Sequence, residues 1–197
     1  QAGKLRALAV ASIKPSRSLP GVPSVAEKGF PGFEAGSWFG FFAPKGVPDA
    51  VVQRVKRAHV SVADVVVGKI DTGLCVLLGV THGDGPEQVA KIARKIAQQR
   101  ILRNTEGADD PNLRVSAEES GAPILLISQF TLYADVRKGR RPGWSHAAPG
   151  PVAEPIVADV AAELRTPYGL HGEEGEIGAM MDVEIDNDGP FTILLEA

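Results

Sequence analysis

Hydrophobic positions between residues 44 and 62 fit two different elements. Three valines between residues 50 and 55 follow a Pro-Asp pair with the spacing of an amphipathic helix. The residues that follow, up to position 62, alternate between apolar and polar as a strand does. The density of valine favours a strand over residues 50–55. A helix is expected only if residues 44–55 belong with the segment before them.

The downstream pattern predicts a mixed α/β fold with roughly seven strands and two helices. Apolar runs bounded by turn residues are typical of buried strands. The predicted strands lie at residues 65–70, 73–80, 124–127, 180–186 and 190–197. The last two are expected to be joined by a tight turn at Asn187-Asp188-Gly189.

Two segments have helical periodicity. In "DGPEQVAKIARKIAQQRIL", Pro86 suits the first helical position. The inward face is expected to hold Val89, Ile92, Ala93 and Ile96. In "AEPIVADVAAELR", the inward face is expected to hold Ile156, Val160, Ala161 and Leu164. Between these elements, residues 103–121 are predicted to form a loop with a short hairpin, and residues 137–153 a long loop.

The first 49 residues differ from the rest of the chain in amino-acid composition and in charge. Residues 14–49 are dense in Pro, Gly and aromatic residues, which argues against long regular elements. Residues 1–49 carry six Lys/Arg and three Asp/Glu, whereas residues 50–197 carry fifteen and twenty-one. We therefore predict an appended segment at residues 1–49 and a domain at residues 50–197.

Composition narrows the classes of protein. The chain has 197 residues, 44% hydrophobic content and a net charge of −3, so it is not a basic protein that coats nucleic acid. No apolar run reaches the length of about 20 residues that spans a bilayer. The single cysteine, Cys75, lies in an apolar run and excludes a disulfide framework. A soluble protein of the cytoplasm, without a membrane or DNA partner, is expected.

Common hydrolase and metal motifs are absent from the sequence. There is no Gly-x-Ser-x-Gly nucleophile motif. The four histidines are isolated, and none has the spacing of a zinc ligand pair. No metal or other cofactor is therefore expected.

Three polar stretches are candidates for function. In "SQFTLYAD", Ser128, Gln129 and Thr131 follow a buried strand, where they either bond to nearby loops or face a ligand. In "NDGPFT", Gly189-Pro190 is either a simple hairpin turn or a rigid corner that a ligand approaches closely. The stretch "RKGRR" is either a solvated loop or a contact for phosphate.

Taken together, these motifs resemble the D-aminoacyl-tRNA deacylase family. The segments "AVVQRVKRAHVSV", "GLCVLLGVTHGD", "SQFTLYADVRKGRRP", "GAMM" and "NDGPFT" occur in the family's order and spacing. The resemblance implies a homodimeric enzyme with a mainly antiparallel β-sheet or barrel and two helices. It implies hydrolysis of the ester between a D-amino acid and tRNA, with glycyl-tRNA, including glycine mischarged on tRNA-Ala, as a further substrate.

The resemblance also implies residue roles. The catalytic pocket for the aminoacyl-adenosine is expected to contain Ser128, Gln129, Phe130 and Thr131. The substrate-binding residues are expected to be Gly189, Pro190, Ile177, Met181 and Thr192. Gly189-Pro190 matches the family's Gly-cis-Pro element, which reaches into the partner subunit's pocket and excludes L-side chains. The expected tRNA phosphate contacts are Arg137, Lys138, Arg140 and Arg141.

Two departures from the family pattern stand out. Ile177 occupies a position where the family usually has an aromatic residue, so Met181 is expected to supply more of the contact with adenine. In addition, residues 1–49 resemble part of a tripartite tricarboxylate transporter solute-binding protein, and the two resemblances overlap in "AVVQRV". The alternatives to an active deacylase are therefore an inactive deacylase-like protein and a solute-binding fragment.

Overall fold

The computed structural model describes residues 9, 21–31, 49–107, 109–137 and 141–197. The chain divides into two compact units, residues 1–42 and residues 43–197. The described part of the first unit contains one 3-10 turn, Ala26–Lys28. The second unit holds a sheet and three α-helices. The boundary after residue 49 stays a prediction.

The described residues of the second unit form nine regular elements besides a 3-10 turn at Phe130–Tyr133. In chain order they are β1 (Ala50–Val62), β2 (Val65–Ile70), β3 (Gly73–Leu78), α1 (Pro86–Gln98), α2 (Ala117–Ser120), β4 (Ile124–Ser128), α3 (Gly150–Arg165), β5 (Gly172–Glu174) and β6 (Met181–Leu195).

Strand β1 is the centre of the sheet, which confirms the strand predicted at residues 50–55. Along one edge it pairs with β3 and then with β2, both antiparallel. Along its other edge it pairs with β6, also antiparallel. Strands β3, β4 and β5 are parallel to one another. Because β3 and β4 run the same way, their carboxyl ends, Leu78 and Ser128, lie side by side.

The sheet has a core on each side. The larger core contains the inward residues of α1 and α3 together with buried residues of β3 and β4. The smaller core contains Val55, Ala58, Val60, Ile70, Cys75, Leu125 and Ile127. The sheet also curls, and its two outer strands in the order β2-β1-β3-β4-β5 come close together. A Cβ on Gly68 of β2 would lie 2.8 Å from the carbonyl oxygen of Glu174 in β5. A strongly curled, barrel-like sheet is therefore the frame on which the site is built.

Local signals predicted the helices well. Helix α1 begins at Pro86, and the expected inward residues Val89, Ile92, Ala93 and Ile96 are buried. Helix α3 begins at Gly150, three residues before the predicted start, and Val157 is more deeply buried than Ile156. None of the helices among the described residues has both the length and the apolarity to cross a bilayer.

The chain's last two predicted strands are one strand, so that prediction was wrong. Strand β6 is continuous, and Asn187 pairs with Val55 while Thr192 pairs with Gln53. The register shifts on either side of Val55 absorb the intervening residues as a bulge. An antiparallel bridge joins Leu102, just before the predicted loop at residues 103–121, to Val115 within it. The sequence did not predict α2 or β5.

Candidate active site

The polar motif after β4 lies where two parallel strands leave the core. Ser128 ends β4, and the backbone N–H of Gln129 donates to the carbonyl oxygen of Leu78, 2.7 Å away. The chain then forms the 3-10 turn over Phe130–Tyr133. Strand ends of this kind present polar groups at the surface while the strands themselves stay buried. The motif is therefore held at a fixed position on the rim of the sheet.

Within the motif, the side chains of Gln129 and Thr131 are joined directly. Gln129 Nε2 donates to Thr131 Oγ1. No imidazole or carboxylate in the described part of the chain hydrogen-bonds to Thr131. A hydroxyl without an adjacent base is a weak nucleophile. The geometry thus suits Thr131 to hydrogen bonding with a substrate better than to covalent attack.

Phe130 is an exposed aromatic residue beside this pair. Its side chain is 56% exposed, and its ring meets that of Trp144 edge-on with centroids 5.3 Å apart. The exposed ring is available to pack against a ligand bound at the motif.

The 3-10 turn is anchored from below by Tyr133. The buried Tyr133 hydroxyl donates to the Asp49 carboxylate, which also accepts from the backbone N–H of Ala197. Burial, followed by the hydrogen bond to Asp49, raises the pKa of Tyr133 well above its usual range. Gly79 leaves room for the ring, because a Cβ there would lie 2.8 Å from Tyr133 Cε2. The 3-10 turn is therefore anchored to Asp49, just before β1, and through Asp49 to Ala197, just after β6.

Gly189-Pro190 is held by the buried side chain of Arg54. Arg54 is 1% exposed, and its Nε donates to the carbonyl oxygen of Asp188, 2.8 Å away. Its Nη1 donates to the carbonyl oxygen of Ile101 at 2.9 Å. These long-range contacts, and not a local turn, fix the backbone immediately before Gly189.

Two carboxylates balance a cluster of three arginines around this corner. Asp109 binds Arg54 through both oxygens, at 2.9 and 3.0 Å, and Arg114 Nε at 3.0 Å. Asp188 accepts from Arg103 Nε at 2.8 Å and Nη2 at 3.1 Å. Hydrogen bonds from Arg54 and then Arg114 hold the pKa of Asp109 well below its usual range. A hydrogen bond from Arg103 lowers the pKa of Asp188 in the same way.

Within one chain, the corner and the polar motif lie at different levels along β1. The corner lies beside Arg54, whereas Ser128 pairs with Leu78 and through it with Ala50. Arg54 lies four positions after Ala50 along β1, which at the usual rise of a strand is about 13 Å. A chain therefore does not bring its own corner onto its own motif along β1.

The other predicted substrate-binding residues are distributed among several environments. Thr192 pairs with Gln53, next to the corner. Ile177 is partly buried against the larger core, and Met181 is partly buried against the smaller one. The neighbouring Met180 is 91% exposed. The structure therefore uses Ile177 and Met181 in core packing, and a contact between Met181 and adenine stays a prediction.

Only part of the predicted phosphate-binding stretch can be placed. Lys138 and Arg140 lie outside the described residues. Arg137 donates to both oxygens of the Asp135 carboxylate, at 2.8 and 2.7 Å. Arg141 is exposed and helps to line a cavity of about 530 Å³ together with Asp135, Arg137, Gly143 and Ser145. Arg141 is thus better placed than the paired Arg137 to meet an added anion.

The charged cluster around Arg54 was not predicted from the sequence. One signal was available, since Arg54 is a charged residue inside the apolar run "AVVQRV". Its partners Asp109 and Asp188 are 55 and 134 residues away in sequence, so no spacing rule could identify them. Across the described residues, no group of three or more His, Cys, Asp or Glu could hold a metal ion.

Comparison with known proteins identifies two matched regions. The family described as D-Tyr-tRNA(Tyr) deacylase matches residues 51–196. The tripartite tricarboxylate transporter family receptor matches residues 1–67. The two matches overlap over residues 51–67, which includes most of the overlap expected at residues 50–55 and extends beyond it.

Curated relatives resemble the second region along almost their whole length. A D-aminoacyl-tRNA deacylase of Kineococcus radiotolerans is 60% identical over 149 residues, which is 75% of this chain and 99% of the relative. A D-aminoacyl-tRNA deacylase of Thermobifida fusca is 54% identical over 148 residues, which is 75% of this chain and 98% of the relative.

Solved structures agree on the fold. A protein named c-Myc DNA Unwinding Element Binding Protein superposes with a TM-score of 0.67 at 37% identity, covering 75% of this chain and 97% of that one. A probable eukaryotic D-amino acid tRNA deacylase superposes with a TM-score of 0.64 at 17% identity over 74% of this chain and 97% of its own. By family match and by its relatives, the chain belongs to the D-aminoacyl-tRNA deacylase family.

Proposed function

We propose that this protein hydrolyses the ester bond of D-aminoacyl-tRNA and so removes D-amino acids from translation. The observation that carries the proposal is the Ser128–Thr131 motif on a fixed turn at the sheet rim, in a region that matches full-length deacylases. Glycyl-tRNA, including glycine mischarged on tRNA-Ala, is a second expected substrate. Because its substrate is tRNA, we place the protein in the cytoplasm, without a DNA or membrane partner.

In the proposed reaction, water attacks the ester carbonyl carbon and the bond to the ribose oxygen breaks. The ribose oxygen takes up a proton, which leaves a free D-amino acid and tRNA. Since no base among the described residues hydrogen-bonds to Thr131, we assign activation of the water to the ribose 2′-hydroxyl. We assign hydrogen bonding of the substrate to Thr131 and Gln129. The N–H groups of Phe130 and Thr131, in the first turn, are the proposed donors to the oxyanion.

Replacement of Thr131 by alanine tests the assignment. Turnover should fall but persist in Thr131→Ala, because the ribose hydroxyl remains. Loss of all turnover, with normal binding of a non-hydrolysable aminoacyl-adenosine analogue, would show that Thr131 is the attacking or activating group.

We infer that the active form is a homodimer in which each corner completes the partner's pocket. The distance of about 13 Å along β1 between the corner and the motif supports this arrangement. Three arginines and two carboxylates stiffen the corner, as is needed for a backbone wall that tests only the hand of the substrate. Sedimentation should show a dimer, and an active monomer would contradict the inference.

Enlarging Gly189 tests whether the Gly189-Pro190 backbone excludes L-side chains. An added Cβ would lie 2.3 Å from Asn187 Nδ2, so that side chain must move aside. It would also lie 3.0 Å from the backbone nitrogen of Phe191, so the backbone must give by a few tenths of an ångström. Gly189→Ala should slow cleavage of D-tyrosyl-tRNA or permit cleavage of L-tyrosyl-tRNA. A matched control is Gly150→Ala, whose Cβ would meet nothing within 4 Å. Unchanged kinetics on both substrates would remove Gly189 from the discrimination.

Binding of the tRNA should depend on salt if basic residues contact its phosphates. We assign Arg137, Lys138, Arg140 and Arg141 to this role. The exposure of Arg141 beside a large cavity supports it for that residue. Arg141→Gln should weaken tRNA binding and reduce its salt dependence. Identical salt slopes for the variant and the wild type would exclude Arg141.

The decisive experiment compares D-tyrosyl-tRNA and L-tyrosyl-tRNA as substrates for the full chain and for residues 49–197 alone. Relatives that consist of this region alone indicate that it can fold independently. We propose that residues 1–49 form an appended segment without transport activity. The shorter chain retains Asp49 because its carboxylate accepts from Tyr133, so both chains should cleave the D-substrate. If the shorter chain cleaved the D-substrate and the full chain did not, the appended segment would inhibit the enzyme. If neither chain cleaved it, the proposed function would be refuted.

A further inference from the structure

The loop between Leu102 and Val115 is fixed against the Gly189-Pro190 corner. Its base is closed by two backbone hydrogen bonds of 3.0 Å between Leu102 and Val115. Within it, Arg114 binds the side chain and the carbonyl oxygen of Asp109, at 3.0 and 3.4 Å. The loop therefore carries an internal ion pair whose position relative to the sheet is set at its base.

This ion pair contacts the residue that follows the corner. The guanidinium carbon of Arg114 lies 4.4 Å from the centroid of the Phe191 ring, and that of Arg54 lies 4.6 Å from it. Both distances are within the range of cation–π attraction. Because Asp109 binds both arginines, it sets the separation of the two cations that contact this ring.

We propose that Asp109 and Arg114 are positioning residues for substrate discrimination, acting through Phe191 on Gly189-Pro190. Asp188, before the corner, is held by Arg54 and Arg103, whereas Phe191, after the corner, is held by Arg54 and the loop. Removal of the loop contact leaves the Phe191 ring with one of its two cation contacts, that of Arg54, and with its packing against the larger core. The corner then samples positions that admit an L-side chain. The inference rests on the proposed deacylase activity.

The kinetic test uses the ratio of kcat/KM for D-tyrosyl-tRNA to that for L-tyrosyl-tRNA, measured with the full chain. In Arg114→Met the ratio should fall by about tenfold, since displacements of about 1 Å have effects of that order or larger. Arg114→Lys, which keeps the cation, should recover part of the ratio. The control is Arg100→Met, which removes a surface ion pair with Glu119 and should leave the ratio unchanged. A purely structural role for Arg114 would lower both rates together at a constant ratio, and that result would overturn the proposal.

A second measurement does not depend on activity. Hydrogen exchange of the peptide that spans residues 187–193 should be faster in Arg114→Met and in Asp109→Asn than in the wild type or Arg100→Met. Unchanged exchange in both variants would refute the restraint by the loop. If the wild-type chain cleaved neither D-tyrosyl-tRNA nor L-tyrosyl-tRNA, the proposed function would be refuted, even if hydrogen exchange were faster in the variants.

Discussion

Replacement of Arg54 by methionine should destabilise the fold severely. Methionine has a similar length but no donor, so the carbonyl oxygens of Ile101 and Asp188 lose their hydrogen bonds from Arg54. The Asp109 carboxylate loses its bidentate partner but keeps Arg114. The perturbation thus leaves buried acceptors unpaired without creating a large cavity.

The size of the effect follows from the burial of the group. Breaking a buried, hydrogen-bonded ion pair by removing one partner costs about 3–5 kcal/mol of unfolding free energy. Arg54 is 1% exposed, so solvent cannot replace its contacts locally. For a chain of this size, each kcal/mol lowers the melting temperature by about 2–4 °C. We therefore expect Arg54→Met to lower it by about 6–20 °C.

Scanning calorimetry of the full chain measures this loss against a control on the same strand. The control is Arg57→Met, because Arg57 has a 74% exposed side chain and pairs with Asp186 at 3.4 Å. Exposed pairs contribute about 1 kcal/mol or less, so its melting temperature should change little. A double variant with Asp109→Asn should lose less than the sum of the two single changes. Equal small shifts for Arg54→Met and Arg57→Met would refute the assignment of Arg54 as the central residue of the cluster.

Three further outcomes follow from described contacts. Gly79→Ala places a Cβ 2.8 Å from the ring of Tyr133, so kcat/KM for D-tyrosyl-tRNA should fall at least about fivefold. The control Gly83→Ala, whose Cβ would meet no atom within 4 Å, should match the wild type in the same assay. Burial raises the pKa of the Cys75 thiol to about 12, so a disulfide reagent at pH 8 should react with it only after unfolding in urea, and rapid reaction of the native protein would contradict its burial. The lowered pKa of Asp109 in the fold adds stability above about pH 4, its unfolded value, and that stability is lost as pH falls through the folded value. Urea midpoints should therefore fall less on acidification in Asp109→Asn than in the wild type, and parallel curves would contradict this.

Local sequence signals were sufficient where local physics decides the structure. Helix α1 begins at Pro86 and buries the expected face because proline position and helical period act within a few residues. The strand at residues 50–55 and the polar motif after Ile127 were predicted for the same reason. The family resemblance, from motifs spread along the chain, added the fold class that these local signals could not.

Long-range contacts account for what the sequence did not reveal. Asn187-Asp188-Gly189 has the composition of a turn, yet it lies within β6 because Arg54 binds the Asp188 carbonyl across 134 positions of sequence. Arg114 similarly looked like an ordinary residue of a polar loop until the fold brought it to Phe191. Such pairings depend on register and loop closure, neither of which leaves a periodic pattern.

Asp49 lies just before the deacylase match at residues 51–196, yet it is part of the fold of that region. Its carboxylate accepts from both the Tyr133 hydroxyl and the backbone N–H of Ala197. A truncated chain that starts at Ala50 would leave the buried Tyr133 hydroxyl without its acceptor, whereas one that starts at Asp49 would keep it. A sequence joined ahead of Ala50 therefore keeps this anchor only if its final residue offers an acceptor that can serve both donors at once.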